Sequence, residues 1–125
     1  MKLVYIVAVV ALLEYCVFVA MAGSARGRFG VAAPAAHGHP LFERYFRVQQ
    51  NTVEQMVIFL PALFLCGHFT STLLAAGMGV VFVVGRAMYA RGYVSDPAKR
   101  GPGFLLTIIA NGVLLLAGLG GVIFA

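Results

Sequence analysis

Long apolar runs separated by short polar knots set the pattern of this chain, with the runs at about residues 3–22, 48–69, 72–92 and 103–125. Each is close to the roughly 20 residues that a helix needs to cross the hydrocarbon of a bilayer. The pattern predicts four spanning helices packed as one unit over residues 1–125. A transmembrane barrel would show short segments of alternating polarity instead of unbroken runs. The fold class is therefore all-α, an integral membrane four-helix bundle.

The connections sharpen this outline. Residues from Gly23 to about Pro40 are rich in Gly, Ala and Pro and read as a long loop. Pro40 suits the first turn of a helix, and Glu43 close behind it suits the positive end of the helix dipole, so the second helix is predicted to begin at Pro40. Pro61 removes a backbone donor within that helix and predicts a kink near Val57 to Pro61. Ser95-Asp96-Pro97 reads as a turn, and Gly101-Pro102-Gly103 leaves the exact start of the last helix open. That helix carries Ala110, Gly112, Ala117, Gly118, Gly120 and Gly121, small residues that let neighbouring helices approach closely.

Against this background two polar stripes stand out. Arg44, Arg47, Asn51 and Glu54 recur at helical spacing on one face, where the second helix enters the bilayer. Arg86, Tyr89 and Tyr93 do the same near the end of the third helix. A charged group at the centre of a lone membrane helix costs on the order of 2.5–3.5 kcal/mol, so the stripes call for partners or a ligand in a wet hollow. With Arg26 and Arg100 in the flanking connections and Glu54 as the acidic member, the set suits a small molecule bearing carboxylates and an amine. The bland readings are an internal salt-bridged network for the first stripe, interfacial anchoring for the tyrosines and topology signalling for Arg100.

Composition changes the picture only in detail. The chain has 125 residues, 62% hydrophobic and 10% charged, with a net charge of +5. Arginines and lysine gather in the first and third connections, which the positive-inside bias puts in the cytoplasm, with both termini outside; a bacterial inner membrane is the expected location. No basic patch is interleaved with stacking aromatics, so nucleic acid is not an expected partner. Cys16 and Cys66 are too few and too distant for a disulfide framework, and His37, His39 and His68 lack metal-ligand spacing, so no metal is expected and the histidines read as solvated. Lys2 and the Ala20-Met21-Ala22 segment resemble a secretory signal, but the length and Glu14 argue for a spanning helix. Glu14 itself is read as structural, bonded to a polar group elsewhere in the bundle.

The run Phe42-Glu43-Arg44, the Arg47 to Glu54 pattern with Gln49 and Asn51, and Arg86-x-x-Tyr89-x-x-x-Tyr93 resemble the MAPEG family, the membrane-associated proteins of eicosanoid and glutathione metabolism. The likeness runs from about Ala25 through Arg100. It implies a homotrimer of four-helix subunits, with glutathione as cosubstrate held between subunits near the cytoplasmic face. Carried over by position, Arg26, Arg47, Asn51, Glu54 and Tyr93 would hold the tripeptide, with Gln49, Arg86 and Tyr89 in support. Arg100 would face the sulfur as the catalytic group, and a lipophilic electrophile would arrive from the membrane lipids to be conjugated with glutathione or reduced by it, as in a transferase or a glutathione peroxidase. Two positions depart from the pattern of members that conjugate leukotrienes: Gly27 stands in place of a second arginine and Gln55 in place of a tyrosine. A family member that binds and presents a lipid without catalysis is the alternative, and a polar-lined carrier or channel is a weaker one, because the stripes cluster at one side.

Overall fold

The computed structural model describes all 125 residues and contains four long helices: α1 (Lys2–Arg28), α2 (Pro40–Phe69), α3 (Thr72–Ser95) and α4 (Gly101–Ile123). A short 3-10 turn, Pro97–Arg100, leads directly into α4. All four helices have the length and apolar composition to cross a membrane, and the chain is an integral membrane protein.

The core is defined by size rather than by hydrophobicity. Along α1 the buried positions are Val4, Ala8, Ala11, Phe18, Ala22 and Ala25, a spacing of three and four that repeats by heptads and keeps one seam against the bundle. Leu3, Val9, Leu13 and Val17 point outward. Apolar side chains thus face both protein and lipid, and small ones mark the inner face, as close packing in a membrane requires. The deeper core joins α1 to α2, α3 and α4 through Phe59, Leu63, Phe82 and Leu114, with the Phe59 and Phe82 rings stacked 3.8 Å apart.

Element ends follow local chemistry. The expected loop from Gly23 is shorter than the composition suggested, because α1 continues to Arg28. Its buried seam carries on through Ala22 and Ala25, and Arg26 and Arg28 sit at the C-terminal end, where cations complement the dipole. The second helix does begin at Pro40. His39 caps it through Nδ1, which accepts from the Leu41 N–H at 3.1 Å, and its ring stacks on Phe29 at 4.2 Å. His39 is therefore a structural cap and not simply a solvated loop residue. Helix α2 runs through Pro61 without interruption, with that ring on the exposed, lipid-facing side. Asp96 Oδ1 accepts from the Ala98 N–H at 3.1 Å and starts the 3-10 turn.

Helices α3 and α4 cross very closely where Gly85 and Gly103 meet. A methyl group at Gly103 would lie 2.6 Å from Tyr89 Cα and 2.7 Å from the Gly85 carbonyl, and closer still to the Tyr89 nitrogen. Only a glycine fits there. The crossing lies beside the polar stripe of α3 and fixes the start of α4 against it.

Candidate functional site

Beside that crossing, at the end of the bundle bearing the first and third connections, the two stripes open onto a shared hollow. Its volume is about 260 Å³ and its lining is Arg47 and Asn51 from α2, Tyr89 and Tyr93 from α3, and Arg100 and Phe104 from the 3-10 turn and α4. A second hollow of about 530 Å³, lined by Ala36, His37, Glu43, Phe46, Arg47, Gln50 and Tyr93, shares Arg47 and Tyr93 with the first. The two hollows thus meet at Arg47 and Tyr93, and together they are called the groove.

The guanidinium groups in this groove are held unequally. Arg47 Nη1 stands 3.6 Å from Glu54 Oε1, with both side chains about half exposed. That is a loose pair of the kind worth about 0–1 kcal/mol, so a ligand can displace it. Arg100 is exposed and makes no hydrogen bond or ion pair within the chain. It also sits at the N-terminus of α4, where the helix dipole adds positive potential. Tyr89 and Tyr93 stack at 5.6 Å and form the opposite wall.

Arg86 behaves differently. It was expected to support a ligand directly, but it is 0% exposed and does not reach the groove. Its Nη2 donates to Asn51 Oδ1 at 2.7 Å and to Thr52 Oγ1 at 2.9 Å, and its Nε also donates to Thr52 at 3.2 Å. Nη1 donates to Thr107 Oγ1 at 3.2 Å. The two hydroxyls spend their own protons on the Val48 and Gly103 carbonyls, which turns their lone pairs toward the cation. The Arg86 Cζ also lies 4.3 Å from the Tyr89 ring centroid, within cation–π range. A buried charge is thus satisfied entirely by neutral groups from α2, α3 and α4.

Other predicted residues are dispersed. Arg26 donates to the carbonyls of Ala35 at 2.8 Å and Val31 at 3.4 Å and lies over Phe42, tying down the α1–α2 connection. Arg44 donates to the Val94 and Ser95 carbonyls and so caps the end of α3. Gln49 is half-buried and, like Arg26 and Glu54, does not line the inner hollow. Glu14 finds no polar partner, contrary to expectation, and its Oε1 is enclosed. Sequence reasoning missed Phe104, Gln50, Thr52 and Thr107. Thr107 sits inside an apolar run with only its register to Gly103 as a signal, and Thr52 is hidden among stronger polar neighbours next to Asn51.

A helical membrane bundle with a cationic, tyrosine-walled groove at one end of α2 and α3 defines the class, and comparison with known proteins places the chain within it. The model of the MAPEG family matches residues 3–120, and the chain belongs to that family. It is similar to microsomal glutathione S-transferase 2 of Homo sapiens, 37% identical over 90% of this chain and 79% of the human protein. An uncharacterised protein of Synechocystis is 39% identical over 91% of this chain and 83% of its own length. Leukotriene C4 synthase of Bos taurus is 38% identical over 62% of this chain and 51% of the bovine protein.

Proposed function

We propose that the protein is a membrane-embedded glutathione transferase that binds glutathione in the polar groove and joins its sulfur to a lipophilic electrophile drawn from the bilayer. The observation that carries this reading is the unpaired Arg100 guanidinium, which borders the inner hollow at the start of α4. The kinship with microsomal glutathione S-transferase 2 and leukotriene C4 synthase supports it.

The chemistry follows from charge. A free thiol has a pKa of about 8.5, so only a few per cent is nucleophilic thiolate near neutral pH. A guanidinium and a helix N-terminus beside the sulfur favour the anion, and each unit of pKa lowered corresponds to about 1.4 kcal/mol. The thiol proton passes to water. The sulfur then supplies the electron pair of a new C–S bond while the electrophilic carbon releases its leaving group, or a ring oxygen, with the bonding pair.

Arg47 is positioned to fork onto a carboxylate of the tripeptide, and Glu54, released from Arg47, to pair with its ammonium. Tyr93 borders both hollows and can bond the peptide between them. Arg26 and Gln49 stand off the inner hollow of their own chain; in the homotrimer we propose, they serve the groove of a neighbouring copy. The first and third connections, and with them the groove, face the cytoplasm in this reading.

The test is calorimetric titration of glutathione into the detergent-solubilised protein, followed by the ultraviolet absorbance of the bound thiolate and conjugation of an aryl halide. Binding with a thiolate signal that Arg100→Ala abolishes supports the reading. Absence of binding at millimolar glutathione refutes it, and an unchanged thiolate signal in Arg100→Ala removes Arg100 from the mechanism.

A further inference from the structure

The amide of Asn51 has a determined orientation. A guanidinium has donors and no acceptor, so the Asn51 atom 2.7 Å from Arg86 Nη2 is the oxygen. The nitrogen of that amide therefore points away from Arg86. Asn51 is 7% exposed, its Nδ2 makes no hydrogen bond in the chain, and it is not among the enclosed unpartnered atoms. Since Asn51 lines the inner hollow, Nδ2 is the polar atom it presents there.

Arg86 is held in turn at separate points. Thr52 takes Nε and Nη2 from α2, and Thr107 takes Nη1 from α4. Both threonine protons are committed to backbone carbonyls at 2.7 Å and 3.0 Å, so neither hydroxyl can turn its proton toward the cation. Every donor chain runs outward from Arg86, through the threonines to the Val48 and Gly103 carbonyls and directly to Asn51 Oδ1.

We propose that Arg86 is a positioning residue, acting through Asn51 to keep residue 51 a hydrogen-bond donor, and that Asn51 thereby selects a carbonyl or carboxylate oxygen of the bound thiol peptide. This rests on the glutathione reading above and adds to it a polarity for one contact. The inner hollow then offers donors from Asn51, Arg47 and Arg100, while Glu54 stands outside it, paired with Arg47.

A double-mutant cycle tests this. Glutathione affinity is measured for the full chain in detergent, with Arg86→Lys, Asn51→Ala and both together; Lys keeps the charge and loses the planar fork that holds the amide. Arg86→Lys is expected to weaken glutathione binding on the order of tenfold, as loss of a charge-assisted contact does, with the KM of the aryl halide within about twofold of wild type. In the Asn51→Ala background the same change is expected to have no further effect. Thr107→Val, which frees Nη1 without touching the groove, gives the same pattern at smaller amplitude and serves where Arg86→Lys does not fold. Additive losses in the cycle, or an unaltered affinity in both Arg86→Lys and Thr107→Val, overturn the proposal. A wild-type protein that binds no glutathione instead refutes the reading on which it rests.

Discussion

Replacing Gly103 by alanine places one methyl group where the α3 and α4 backbones meet. The new carbon would stand 2.6 Å from Tyr89 Cα and 2.7 Å from the Gly85 oxygen, where ordinary contact begins at about 3.4 Å. All of these neighbours are backbone, so no side chain can swing aside, and α3 and α4 must separate by about 1 Å. Overpacking of this kind costs about 1–3 kcal/mol. Gly112 lies on the same helix with open space around its Cβ position, where alanine improves helix propensity by about 0.5–1 kcal/mol. The two substitutions add the same methyl to the same helix, so thermal unfolding in detergent reads the crossing directly. Gly103→Ala should lower the midpoint and Gly112→Ala should hold or raise it. The same displacement shifts Phe104 and Arg100 relative to Tyr89 and Tyr93, and misplacement of about 1 Å at a reacting centre costs on the order of a hundredfold in rate. A Gly103→Ala protein as stable and active as Gly112→Ala would refute the reasoning.

Three further outcomes are expected. In Arg100→Ala the sulfur loses its counter-charge and its pKa rises toward the free value of about 8.5, so conjugation near neutral pH should fall at least tenfold and recover progressively as pH rises through that value; parallel pH–rate profiles for the two proteins would contradict this. Asn111 donates to Gln55 Oε1 at 3.1 Å but leaves its own oxygen enclosed without a donor, so replacing both residues by leucine should be neutral or stabilising by about 1 kcal/mol in thermal unfolding. His39→Ala removes a cap worth about 0.5–2 kcal/mol together with the Phe29 stack, and should speed limited proteolysis between residues 29 and 39, with the helices intact by circular dichroism.

The helices were legible because spanning length is a composition signal, and Pro40 marked a start that local chemistry dictates. The inner faces were not legible by hydrophobicity, since Leu13 outside and Ala11 inside are both apolar. That is also why the end of α1 was placed too early: the alanine seam that carries it to Arg28 looks like loop composition. Helical spacing put Arg47 with Asn51 and Tyr89 with Tyr93 on shared faces, and all four line one hollow with Arg100, which the sequence offered only as a residue of the third connection. It failed for Arg86, which shares a face with Tyr89 and Tyr93 but sits one turn deeper, where three helices close over it. Arg26 and Arg44 reach backbone carbonyls within the chain, contacts that no sequence pattern reveals.

The neutral cage around Arg86 bears on the order in which the chain is made. A polypeptide leaving the ribosome exposes α2 before α3, and Thr107 only with α4. Helix α3 on its own carries an uncompensated cation into the lipid, a burden of about 2.5–3.5 kcal/mol. Asn51 and Thr52 are already present to relieve it, so α2 and α3 are suited to enter together as a hairpin, with α4 arriving last to close the cage.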